Sequence, residues 1–118
     1  MMSENLALEE EKRPWGDFKR FTKNCLSTVK IITIKPLESL SLQSHARRAE
    51  FWHIIEGSGV IEIDELKRAV KAGDEAEIPV GSKHRISAAE AGMKVLEIAF
   101  GDFDEGDILR YEDAYGRI

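Results

Sequence analysis

From Val29 onward, short runs of β-branched and apolar residues alternate with turn residues. Residues 29–34 read as a strand stopped by Pro36, and residues 51–55 as a second strand that ends at Glu56-Gly57-Ser58-Gly59. Residues 60–63 form a third, turning through Asp64-Glu65 into a return strand at 67–70. Ala72-Gly73-Asp74 marks a further turn before 75–78, and residues 83–87 and 93–100 complete the set. About seven or eight short strands with no long helical period between them predict an all-β antiparallel sandwich or barrel. A barrel this small encloses room for one small ligand. Residues 1–12 read as a short helix or frayed N-terminal extension, with residues 13–118 as the folded domain. The acidic, aromatic tail predicts a helical turn at 107–111 that lies across one barrel end.

Composition narrows the function classes. A chain of 118 residues makes one domain with a real core. Its net charge of −5 argues against a general nucleic-acid or anionic-membrane surface. No apolar run approaches the roughly 20 residues of a membrane helix. The N-terminus lacks a basic region followed by an apolar one, so it does not read as a secretory signal. Cys25 is the single cysteine, which excludes an intrachain disulfide and a thiolate metal cluster. A cytoplasmic location is the expectation.

The densest chemistry lies between Leu40 and Gly57. Gln43 and His45 share a strand face by alternation, and Glu50 joins them after a turn. His84, just beyond Ile78-Pro79, must arrive from another strand. Two imidazoles, a carboxylate and an amide oxygen form a plausible ligand set for one divalent metal. Mixed nitrogen and oxygen donors suit Zn²⁺ first, with Mn²⁺, Co²⁺, Ni²⁺ or Fe²⁺ as alternatives, and disfavour Cu⁺. Each histidine could equally be a hydrogen-bonded strand-end residue, and Glu50 a partner of Arg47 or Arg48. His53 falls on the opposite face, with Phe51 and Ile55, and reads as a packing or interface residue. Trp52 shares the Glu50 face and reads as core.

Five motifs run in order: Arg13-Pro-Trp-Gly16, Leu40-Ser-Leu-Gln-x-His45, Arg48-x-Glu50-x-Trp52, Ile78-Pro-x-Gly-x-x-His-Arg85 and Asp107-Ile-Leu-Arg-x-x-Asp-x-Tyr-Gly-Arg117. Together they resemble the type II phosphomannose isomerase domain, a cupin (double-stranded β-helix, or jelly-roll, barrel), over nearly everything after Lys12. In that family the domain often follows a sugar-nucleotide transferase domain, so this chain resembles a stand-alone cupin. The resemblance implies metal ligation by Gln43, His45, Glu50 and His84, and a homodimer. Two positions depart from the family pattern. Its His-x-His-Arg reads here with Arg47 as the second element, and its Glu-Val-Gln reads Glu97-Ile-Ala99.

The implied activity is metal-dependent aldose–ketose isomerisation of a phosphosugar, foremost mannose 6-phosphate and fructose 6-phosphate, in a pathway feeding polysaccharide synthesis. Such a reaction needs a carboxylate to move a proton between C2 and C1, and burial would bring its pKa toward neutrality. Glu97 is the candidate, since alternation sends Val95, Glu97 and Ala99 inward and Leu96, Ile98 and Phe100 outward. Structural pairing of Glu97 with a buried arginine is the competing reading. For the phosphate, arginine offers a planar fork. Arg110 leads, with Arg85, Lys83, Arg48 and Arg47 as further candidates, each also readable as a solvated cation. Trp15 reads as a core plug or a sugar-stacking cap. The alternative function is a non-catalytic cupin that binds a sugar, nucleotide sugar or other small anion. An iron oxygenase ranks last, because the chain has only three histidines.

Overall fold

The computed structural model describes residues 6–118, and the expectation for residues 1–5 lies outside them. Nine strands and no helix make up the described residues: β1 (Leu6–Arg13), β2 (Gly16–Thr22), β3 (Ser27–Ile34), β4 (Leu42–Ser44), β5 (Glu50–Ile63), β6 (Leu66–Lys71), β7 (Glu75–Ile78), β8 (His84–Phe100) and β9 (Leu109–Glu112). β5 and β8 pair antiparallel along almost their whole lengths. The first half of β5 is flanked by β7 and its second half by β6. The second half of β8 pairs with β3, while His84, at its start, pairs with Gln43 of β4, which in turn pairs with β9.

The two halves face each other across one core. Trp52 and Ile54 from the first half of β5 join Ile61 from its second half, with Val70, Ile78, Ile86 and Val95 closing the cluster. This burial of apolar surface from both layers is the main stabilising contribution, at about 25 cal/mol per Å². β5 passes from one layer to the other through register breaks at Ile54/Glu56 and Gly57/Gly59. The predicted strand end at residues 56–59 is therefore a bend inside one continuous strand. The glycines are there because the strands cross closely: a Cβ on Gly57 would lie 2.0 Å from the Gly92 carbonyl oxygen, and one on Gly59 2.0 Å from that of Ser87. The expected turn at Asp64-Glu65 is present, with φ of 47° and 72°. Two successive positive φ values match the tight hairpin turn that suits strand twist.

Two other expectations are corrected. In place of a helical or frayed N-terminus, β1 pairs with β2 as a separate two-stranded sheet. The expected boundary after Lys12 thus falls inside β1. Alternation decides this: Glu9 and Glu11 reach Arg20 across the pair. On its other face β2 presents Lys19, which reaches Glu75, and Phe21, which meets Phe51 and His53. A second cluster of Phe51, Ile98 and Phe100, with Phe21 against it, lies under this hairpin. In the tail, residues 109–112 form β9 because β4 offers them an edge, so the predicted helical turn does not form.

Candidate metal centre

Alternation along β5 turns Glu50, Trp52 and Ile54 inward, and β8 begins with His84 facing them. His45 follows β4 in the segment that returns the chain to β5. The three residues converge as a buried trio. Glu50 Oε1 lies 3.3 Å from His45 Nε2 and 3.3 Å from His84 Nε2. The Nδ1 atom of His45 meets the Asp107 carbonyl oxygen at 2.6 Å, and that of His84 meets the Ser82 carbonyl oxygen at 2.9 Å. A carbonyl only accepts, so each Nδ1 carries a proton and donates it. Both Nε2 atoms are thereby aimed at the carboxylate.

This arrangement fits a divalent ion. Glu50 Oε1 and His84 Nε2 are buried atoms without a hydrogen-bond partner among the described residues, and such atoms are costly unless something meets them. Ligand atoms about 2.1 Å from a tetrahedral ion lie about 3.4 Å from one another, close to the two distances from Glu50 to the imidazoles. Burial by itself would push the Glu50 carboxyl up, but the proximity of His45 and His84 outweighs it and holds Glu50 well below the usual carboxylate range. An ionised carboxylate between two imidazoles draws a cation to its centre. Arg48 fixes the other carboxylate oxygen, its Nε donating to Glu50 Oε2 at 3.0 Å, and the Phe103 ring lies over its guanidinium at 4.5 Å.

His45 and Glu50 open onto a cavity of about 250 Å³, lined among others by Lys30, Ile32, Gln43, Arg48, Glu97 and Arg110. Gln43 is thus at the site, where its side-chain oxygen accepts from Ser41 Oγ at 2.9 Å. Glu97 is buried on the same wall. Its Oε2 accepts from Trp52 Nε1 at 2.8 Å, and its Oε1 lies 3.5 Å from Lys30 Nζ. Burial pushes the Glu97 carboxyl up, the negative charge of Glu50 adds to the effect, and Trp52 and Lys30 only partly offset it. Arg110 Nε is buried without a partner among the described residues. A larger cleft of about 390 Å³ between residues 33–40 and Tyr115 and Arg117 contains none of this chemistry.

The other expected cations lie elsewhere. Because His84 points inward, Arg85 points outward, where it pairs with Glu62 at 3.0 Å. Lys83 is exposed over the Tyr111 ring. Arg47 is an exposed partner of Asp104, not a charge beside the trio. Trp15 neither plugs the barrel nor caps the cavity: it is 73% exposed at the β1–β2 turn. Trp52 is core beside His84, as expected. Sequence reasoning missed Lys30, Phe103 and Asp107. Lys30 left one trace, as the lone charge in the apolar run of β3, in register with Glu97.

Comparison with known proteins adds a lineage to this geometry. Residues 3–113 match the family model described as mannose-6-phosphate isomerase C-terminal. The chain is 36% identical over 110 residues to the alginate biosynthesis protein AlgA of Pseudomonas putida, covering 92% of this chain and 23% of that protein. It is 32% identical over 111 residues to the mannose-1-phosphate guanylyltransferase ManC of Salmonella typhimurium, again covering 92% of this chain and 23% of that protein. The chain therefore spans about a quarter of the length of these relatives. Among solved structures, oxalate decarboxylase of Bacillus subtilis superposes with a TM-score of 0.67 at 26% identity, over 73% of this chain and 24% of that one. The capsular polysaccharide assembling protein CapF of Staphylococcus aureus gives a TM-score of 0.67 at 23% identity, over 91% of this chain and 33% of that one. These likenesses establish the all-β cupin fold.

Proposed function

Because the chain belongs to the mannose-6-phosphate isomerase C-terminal family, we propose that it is a metal-dependent aldose–ketose isomerase of a phosphosugar, with mannose 6-phosphate and fructose 6-phosphate as first choice. One observation carries the proposal: a buried, up-shifted carboxylate, Glu97, shares a cavity with His45 and Glu50 of the trio and with Arg110, whose buried Nε has no partner among the described residues. His45, Glu50 and His84 would hold the ion, with Gln43 beside them. A divalent ion there supplies positive charge that polarises a carbonyl and favours developing negative charge on oxygen.

The chain's own groups do the rest. Arg110 binds the phosphate through its unmatched donor, with Lys30 adding positive charge at the same wall. Glu97 removes the proton from C2 of the aldose and returns it to C1, while the C2 hydroxyl proton passes to the former carbonyl oxygen. A pKa nearer neutrality suits a group that must both accept and release a proton. Ile32, Leu40 and Ile108 supply the apolar part of the wall.

Interconversion of mannose 6-phosphate and fructose 6-phosphate, after stripping and reloading with zinc, manganese, cobalt or nickel, tests the proposal. Metal-dependent turnover that vanishes in His84→Ala is the expected result. No turnover with any ion, in folded and loaded protein, overturns it in favour of a non-catalytic sugar or anion binder. That second reading draws on relatives whose names concern polysaccharide biosynthesis and guanylyl transfer rather than isomerisation. We also propose a homodimer, on the strength of the exposed Leu26, Val29 and Ile31 on and beside β3. Sedimentation equilibrium that gives a single-chain mass at micromolar concentration would exclude it.

A further inference from the structure

The cation site is not built by the barrel strands alone. Three groups of residues 45–47 are gripped by one residue of the tail. The Asp107 carbonyl oxygen accepts from His45 Nδ1 at 2.6 Å, and its two carboxylate oxygens accept from the Ala46 and Arg47 amides at 2.8 and 3.0 Å. Asp107 is itself buried, and its amide closes a turn onto the Asp104 carbonyl. That same Asp104 carbonyl also accepts from Arg48 Nη1 at 3.1 Å, and Arg48 holds Glu50. Residues 104–107 thus brace two of the three trio members, His45 directly and Glu50 through Arg48. His84 is braced by its own turn, through Ser82.

We infer that Asp107 is a positioning residue of the cation site, holding the His45 segment so that Nε2 faces Glu50 and thereby setting the affinity for a divalent ion. Its side chain touches none of the three donor atoms and acts only through the backbone it caps. The inference rests on the reading of the trio as a metal site. Partners that orient an imidazole ligand through its second nitrogen generally matter to affinity nearly as much as the ligand does. Here that partner is a main-chain oxygen, and the carboxylate of the same residue locks the two segments in register. The Asp107 carboxyl lies below its ordinary value, chiefly because of the Ala46 amide, so it remains an acceptor at neutral pH.

The test is a zinc titration of the full chain against a chromophoric chelator, for the wild type, Asp107→Ala, Asp107→Asn and Asp74→Ala. Asp74 makes a comparable carboxylate cap, on the Lys71 amide, in a turn remote from the trio. The expected results are zinc binding weakened about 10- to 100-fold in Asp107→Ala, an intermediate loss in Asp107→Asn and a change within about twofold in Asp74→Ala. Nitrogen-15 spectra of the metal-free protein supply a second readout: one His45 tautomer in the wild type and a mixture in Asp107→Ala. Wild-type zinc affinity and a single tautomer in Asp107→Ala, with a melting temperature lowered like that of Asp74→Ala, would make the cap merely structural and overturn the inference. If Asp107→Ala does not fold, Asp107→Asn decides on the same readouts. Failure of the wild-type chain to take up any divalent ion overturns the metal reading as well, and so separates the two failures.

Discussion

Two glutamate–histidine clusters occupy this small molecule, and they have opposite characters. At the hairpin, Glu75 is saturated: Lys19 Nζ contacts both its oxygens at 2.7 Å, and His53 Nδ1 meets Oε2 at 2.7 Å. That cluster is partly exposed and fastens β2 onto the barrel, with Phe21 against the His53 ring. At the barrel interior, Glu50 and two histidines are almost fully buried, and Glu50 Oε1 and His84 Nε2 lack partners among the described residues. The residue types are nearly the same, so composition does not distinguish an adhesive from a site. Burial combined with unmet polar atoms does.

The largest expected effect comes from breaking the interior cluster. Glu50→Gln removes the charge that faces Arg48 and both imidazoles, and leaves Arg48 buried without its ion partner. Loss of one partner of a buried pair costs about 3–5 kcal/mol. Urea unfolding should show such a loss in the metal-free chain, and equilibrium dialysis should show no divalent ion retained. Glu75→Gln, the matching change at the hairpin, should lower stability by no more than about 1 kcal/mol, because the pair is partly solvated. Its metal affinity should be that of the wild type, and faster amide exchange confined to β1 and β2 would be its signature.

The pH response sharpens the same contrast. Burial opposes ionisation of Glu75, but Lys19 and His53 outweigh it and hold the folded-state value below the ordinary one. Its contribution is present above the usual carboxylate range and is lost as pH falls through the lowered folded value. Acid melts of wild type and Glu75→Gln should therefore converge once the pH is below that lowered value. Glu97 shifts the other way, so in the metal-free chain its carboxyl should titrate above the ordinary carboxylate value. Lys30 partly offsets that rise, and Lys30→Met should move the titration to still higher pH. This is the smallest of the expected effects, and side-chain carboxyl carbon-13 shifts of the two metal-free proteins measure it.

Much of the interior cluster could be read from the sequence, because a two-residue period assigns faces. Gln43, His45, Glu50 and His84 all reach the cavity or its trio, and Glu97 faces inward as alternation required. The same rule fails where the strand boundary is unknown. Arg85 and Lys83 were candidates only until His84 was placed inward, and Arg47 lies in a bend that has no period. Lys30 and Asp107 were hidden for a different reason. Each meets its partner by long-range pairing, Lys30 across β3–β8 and Asp107 from the far end of the chain. The β1–β2 hairpin was obscured by its acidic run, whose charges become favourable only once Arg20 stands opposite. The bends in β5 were obscured because Gly57 and Gly59 carry the composition of a turn while the strand continues through them.

The central claim is that Glu97 moves the substrate proton beside a metal held by the trio. Steady-state kinetics of metal-loaded Glu97→Gln with mannose 6-phosphate test it most directly, since the amide keeps an oxygen facing the Trp52 indole and removes the base. The account predicts kcat lower by about 10²- to 10⁴-fold with KM nearly unchanged. A kcat close to that of the wild type would contradict it.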